Sequence, residues 1–96
     1  MVNSYQLNRH YNITVKGEVQ GVSYRFCTHI QALKLGLTGY VKNLHNNNVF
    51  IEVEGSEENI NKLIAWCYAG SPLCKVIEVI AEESEVKEFR NFEIKR

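Results

Sequence analysis

The run "YNITVKGEVQGVSYRFCTHIQALKLGLTGYVKNL", Tyr11 to Leu44, decides the fold. Its opening alternates Tyr11, Ile13 and Val15 with Asn12, Thr14 and Lys16, the period of two that marks a half-buried strand. Past Tyr24 the period lengthens. Phe26, Ile30, Leu33 and Leu37 recur at helical spacing and predict an apolar stripe on a helix. Gly36 suits the end of that helix, where φ is often positive. "TGYVKNL" then returns to a strand. Between first strand and helix lies a turn, Gly17 to Ser23, bounded by glycines and followed at once by Arg25.

Working outward, "HNNN" reads as a turn, because Asn tolerates the left-handed region better than most residues. It joins the second strand to "VFIEVEG", where Val49, Ile51 and Val53 share one face and Glu52 and Glu54 the other. Two strands around such a turn make a hairpin. Ser56 precedes "EENINKLIAWCYAG" as an N-cap, with Glu57 and Glu58 in the first turn, where the helix dipole favours negative charge. Ile60, Leu63, Ile64 and Cys67 form the inward stripe, and Gly70 with Pro72 ends the helix. "KVIEVIAEE" is a fourth strand, and "NFEIKR" has the alternation of a short extra edge strand. The order β-α-β-β-α-β predicts an α+β ferredoxin-like sandwich, two helices packed on one face of an antiparallel sheet. Residues 1–9 read as a loose polar extension and residues 10–96 as the domain.

A chain of 96 residues has room for one core. Eleven basic and eleven acidic residues give no net charge, which argues against nucleic acid as the main partner. No apolar run is long enough to span a bilayer, and the polar start lacks the middle of a secretory signal. Three cysteines, Cys27, Cys67 and Cys74, form no C-x-x-C pair. Free buried thiols and a cytoplasmic setting are the expectation, with a Cys67–Cys74 pair the alternative if they meet in space. No ligand cluster for a metal stands out, and no cofactor or obligate partner is implied, so a monomer is expected.

The turn into the helix carries the chemistry. A helix N-terminus leaves several backbone N–H groups without partners, and with the dipole they suit a phosphate or carboxylate. Gly17 and Gly21 are expected to let an anion approach the backbone. Arg25 adds a planar, permanently charged fork for two oxygens. The spacing fits neither a Walker A loop nor a dinucleotide loop. By spacing alone, a strand-to-helix turn with a surface arginine is more often mere connection. In the ferredoxin-like layout Asn43, at the end of the second strand, lies at the same end of the sheet as that turn. An amide there can donate to and accept from a water; equally, it can be a turn-entry residue bonded to its own backbone.

The elements Gly17-x-Val19-Gln20-Gly21-Val22-x-Tyr24-Arg25 and Ala32-x-x-Leu35-Gly36-Leu37-x-Gly39-x-Val41-x-Asn43 resemble the acylphosphatase signature. "VFIEVEG" and "GSPLCKV" are similar to later segments of that family, so the likeness runs from Tyr11 to Arg96. It implies hydrolysis of small acyl phosphates to carboxylate and inorganic phosphate. Gln20, Gly21, Val22, Ser23 and Tyr24 match the phosphate-cradling loop, Arg25 the phosphate-binding arginine, and Asn43 the asparagine that orients the attacking water. Inorganic phosphate or sulfate is expected to occupy the same cradle. The resemblance also implies that a phosphate oxygen of the substrate takes the proton. "HNNN" replaces the frequent Asp-Gly turn, and Ser23 the frequent aromatic or glycine; neither touches the two catalytic positions. His29 and His45 fall outside the matched positions and read as surface or supporting residues. A thiol mechanism lacks a base partner. Competing readings are an anion- or RNA-binding module without turnover, a carbamoyl-phosphate-handling domain of a longer maturation enzyme, and, as runner-up, a dead or repurposed relative. The glutamates in "NVFIEVEG", where RNA-binding aromatics would stand, weaken the RNA reading.

Overall fold

The computed structural model describes residues 7–96. Elements follow in the order β1 (Arg9–Glu18), α1 (Tyr24–Lys34), β2 (Thr38–Asn43), β3 (Val49–Gly55), α2 (Glu57–Ala69), β4 (Lys75–Ser84) and β5 (Phe92–Lys95). The sheet order is β4-β1-β3-β2-β5. β1 pairs antiparallel with β3 and β4, and β2 antiparallel with β3, while β5 lies parallel to β2. This is the expected ferredoxin-like sandwich with its C-terminal edge strand. Because β1 and β2 both run antiparallel to β3, their C-terminal ends share one end of the sheet. The expected N-terminal extension falls mostly outside the described residues, and Arg9 at its end already belongs to β1.

Ile13 and Val15 of β1, Val41 of β2 and Val49, Ile51 and Val53 of β3 are buried under the helices. Ser56 caps α2 by accepting from the Asn59 N–H at 3.2 Å, and Ile60, Leu63 and Cys67 face the core. In α1 the expected stripe fails. Phe26 and Leu33 are exposed, and the core instead receives Tyr24, Thr28 and Ala32. Those three stand four apart, a cleaner helical row, but two of them are polar or small and so carry little apolar signal. Thr28 tolerates burial because its hydroxyl donates to the Tyr24 carbonyl at 2.8 Å. Leu37 is buried, but beyond the helix.

Gly17 serves a different end from the one expected. β1 runs through it, and the pairing with β4 shifts between Lys16 and Gly17. At φ +135°, a Cβ there would run into the Lys75 carbonyl. Gly17 therefore lets β4 approach, not an anion, and the turn proper is Val19–Ser23.

The glutamates of β3 do not face open water. The connection from β4 to β5 crosses the sheet face opposite the helices and buries His10, Glu52 and Glu54. His10 Nδ1 lies 2.7 Å from Glu54 Oε2, and the Lys87 and Phe89 N–H groups donate to the same carboxylate. Lys87 Nζ pairs with Glu52 at 3.1 Å, and Phe89 stacks on His10. Burial alone would raise the Glu54 pKa; the N–H donors and the His10 ring outweigh it and hold the carboxyl below its ordinary 4.5.

Candidate active site

The end of β1 enters the turn Val19–Ser23 with Val19 buried, so the turn starts from a fixed point. Gly21 at φ +76° and Ser23 at φ +64° both sit in the left-handed region. For Ser23 that conformation is uncommon. It redirects the chain so that α1 starts at Tyr24 without a side-chain cap. The first intrahelical bond runs from the Cys27 N–H to the Ser23 carbonyl at 3.0 Å. The amides of Tyr24, Arg25 and Phe26 are therefore left without intrahelical acceptors at the positive end of the dipole.

Two side chains fasten this turn. Gln20 Nε2 donates to the carbonyls of Leu44 and Asn48, at 2.8 and 2.7 Å, tying the turn to the β2–β3 hairpin. Tyr24 is 1% exposed; its hydroxyl donates to the Cys67 carbonyl at 2.7 Å and its ring packs 5.3 Å from that of Trp66. Burial drives the Tyr24 phenol pKa far above its ordinary value, so it is an anchor and not an acid. The hairpin that Gln20 braces turns at Asn47 with φ +73°, the left-handed residue expected of "HNNN".

A cavity of about 210 Å³ opens in front of the turn, lined by Val19, Gly21, Ser23, Tyr24, Arg25, Phe26, Asn43 and Ile94. It widens outward between Arg25, Asn43, Ile94 and Arg96. The structure thus brings Arg25 and Asn43 together, as the topology requires. Gly21, Ser23 and Tyr24 line the cavity with them. Gln20 and Val22 do not: Gln20 braces the hairpin and Val22 packs against the core. Arg25 Nη1 donates to the Lys95 carbonyl of β5 at 2.7 Å. No carboxylate among the described residues pairs with Arg25, which lines the cavity.

Asn43 closes β2 opposite Val49. Its Oδ1 is buried and has no hydrogen-bond partner among the described residues. Such an orphan acceptor is costly unless something fills it. No backbone N–H of the turn among the described residues donates to it.

The family model for acylphosphatase matches residues 11–94, nearly the whole chain. The chain belongs to the acylphosphatase family. It is 40% identical over 85 residues to an acylphosphatase of Trichormus variabilis, covering 88% of this chain and 84% of that one. The structure of an acylphosphatase from Coxiella burnetii superposes with a TM-score of 0.92 at 33% identity, covering 99% of this chain and 100% of the other. Full-length HypF in its phosphate- and nucleotide-bound form contains a similar portion, with a TM-score of 0.85 and 31% identity. That likeness covers 94% of this chain and 12% of HypF. As a member of this family the chain is a hydrolase of acyl phosphates.

Other chemistry finds less support. Cys67 is fully buried and its thiol is pushed up to about 12 by burial, which keeps that thiol protonated near neutral pH. Cys27, Cys67 and Cys74 are free. His29 Nε2 sits 3.1 Å from the Phe92 carbonyl, and His45 is exposed on the hairpin. No group of three or more His, Cys, Asp or Glu side chains converges among the described residues. No helix among them is long and apolar enough to cross a membrane.

Sequence reasoning missed three cavity residues, Val19, Phe26 and Ile94. Ile94 could have been found only by knowing that β5 returns beside β2, and periodicity does not report strand partners. Phe26 carried an apolar signal that pointed to the core instead.

Proposed function

We propose that this chain hydrolyses the carboxyl–phosphate anhydride of small acyl phosphates, with the Gln20–Arg25 loop holding the phosphoryl group and Asn43 aiming the water. The phosphoryl oxygens accept from the open amides at the start of α1 and from the Arg25 fork. Those donors are in place before substrate arrives, so they neutralise charge without reorganising. Asn43 Oδ1 accepts from a water, which turns that water's lone pair toward phosphorus. Attack forms the new P–O bond, the bond to the acyl oxygen breaks, and the carboxylate leaves with the bonding pair. The water's proton passes to a phosphoryl oxygen, so no protein base is required. An acyl phosphate is already activated, so positioning and charge neutralisation suffice.

The observation that carries this reading is the unpaired, buried Oδ1 of Asn43 in one cavity with Arg25. A phosphate-release assay on a small aryl acyl phosphate tests it, with inorganic phosphate as competitor. Release of phosphate, inhibited competitively by inorganic phosphate, is expected. Inhibition without turnover would leave only an anion-binding module. We further propose that the protein works as a cytoplasmic monomer, for which a single 11.1 kDa species in sedimentation is the check.

A further inference from the structure

Four apolar side chains line the cavity, and they fall into two kinds. Val19 and Tyr24 are sealed at 1% exposure each, whereas Phe26 and Ile94 keep 58% and 42%. Phe26 follows Tyr24 by two residues, a rotation of about 200° around the helix. With Tyr24 committed to the core, Phe26 is turned out of it, among the first residues of α1 that line the cavity. Ile94 stands opposite Val41 on β2 and shares the helix side of the sheet with buried Phe92. The first turns of α1 and the edge strand β5 are held together by Arg25 on the Lys95 carbonyl and His29 on the Phe92 carbonyl. Two large, exposed apolar side chains thus border the cavity, one from each element.

Phe26 and Ile94 line the same cavity as Arg25 and Asn43, so an acyl group attached to a phosphoryl group held there lies against them. We infer that Phe26 and Ile94 form the acyl-group subsite, and that the enzyme favours acyl phosphates whose acyl group is aromatic or branched and apolar. This rests on the hydrolytic reading above. An acyl group seated there covers both exposed side chains while its phosphate stays on the amides. Arg96, at the outer edge, would instead serve a substrate with a second anionic group. The cavity contact of Phe26 and Ile94 favours the apolar occupant.

The test is kcat/KM for benzoyl phosphate, acetyl phosphate and succinyl phosphate, on the wild type and on Phe26→Ala, Phe26→Leu, Ile94→Ser and Arg96→Ala. The benzoyl-to-acetyl ratio should fall about 10-fold in Phe26→Ala, the scale set by losing a few carbons from an apolar pocket. Ile94→Ser should lower it in the same direction, and Phe26→Leu should restore much of it. A ratio unchanged in both Phe26→Ala and Ile94→Ser overturns the subsite while leaving the hydrolytic reading intact. A wild-type preference for succinyl phosphate that disappears in Arg96→Ala overturns it in favour of an anionic acyl group. Absence of turnover on all three substrates sinks the hydrolytic reading, and the subsite with it.

Discussion

The two ends of the sheet treat buried polar groups in opposite ways. Where the β4–β5 connection crosses the sheet, the Glu54 carboxylate takes three donors, and both His10 ring nitrogens face oxygens. At the other end, Asn43 Oδ1 is buried without a donor among the described residues, and the first amides of α1 lack intrahelical acceptors. Folding tolerates an unpaired buried group at a cost of about 1–3 kcal/mol. The paired end spends its polar groups on fixing a long connection. On the proposed mechanism, the unpaired end keeps its groups for the phosphoryl group and the attacking water. Substitutions at the two ends should accordingly be read by different instruments.

The largest effect is expected at Arg25. Arg25→Ala should lower kcat/KM by roughly 10³-fold or more and abolish inhibition by phosphate, the scale of losing a charged donor from a preorganised site. Its thermal unfolding should stay near the wild type, since the side chain gives up one bond to the Lys95 carbonyl. Arg25→Lys should recover little, because an ammonium cannot present the planar fork. A lysine variant near wild-type turnover would remove the bidentate role.

Asn43→Ala comes next. If Oδ1 aims water and does not hold the phosphoryl group, kcat should drop about 10²-fold while the phosphate inhibition constant stays put. Stability should change by no more than about 1 kcal/mol, and removing an orphan acceptor can even raise it. Weakened phosphate inhibition at unchanged kcat would make Asn43 a ligand contact.

At the paired end the readout is stability. Glu54→Gln keeps the shape but leaves His10 and two N–H donors facing a neutral amide, and should cost roughly 2–3 kcal/mol near neutral pH. The sign with pH follows from the lowered carboxyl. A carboxyl held below 4.5 when folded binds its proton more readily unfolded, so its stabilisation is full above that value. As the pH falls below 4.5 and through the folded pKa, that stabilisation is lost. The gap between wild type and Glu54→Gln in urea unfolding should therefore narrow in acid. A constant gap from pH 7 to pH 3 would show that the charge of Glu54 is not what holds the connection. Loss of phosphate inhibition in the folded variant would break the separation between the two ends.

The unpaired end was the more legible in the sequence. A glycine turn, an arginine and a strand-end asparagine are local signals, and the β-α-β order alone carries Arg25 and Asn43 to one end of the sheet. The paired end is built across 44 residues, from His10 to Glu54, and a further 33 to Lys87. Alternation in "VFIEVEG" assigns Glu52 and Glu54 to the second face correctly but says nothing about what crosses it. Gly17 was misassigned for the same reason, since the neighbour it admits is β4, 58 residues away at Lys75.

The smallest expected effect lies between the two ends, on α1, where apolar periodicity pointed the wrong way. A Leu33 inside the core would lose about 2–5 kcal/mol on truncation, through lost transfer energy and a cavity. The structure leaves Leu33 56% exposed, on the side of the helix away from the buried row Tyr24, Thr28 and Ala32. Leu33→Ser should then shift stability by only about 0.5 kcal/mol, much of it the weaker helix propensity of serine. Ala32→Leu provides the opposing measurement: Ala32 is fully buried, and added methylenes there should cost about 1–3 kcal/mol by overpacking. A helix with the stripe inward would reverse both results. Leu33→Ser would then be strongly destabilising and Ala32→Leu nearly silent. Phe26 would turn into the core with it, and the cavity would lose one of its two exposed apolar walls.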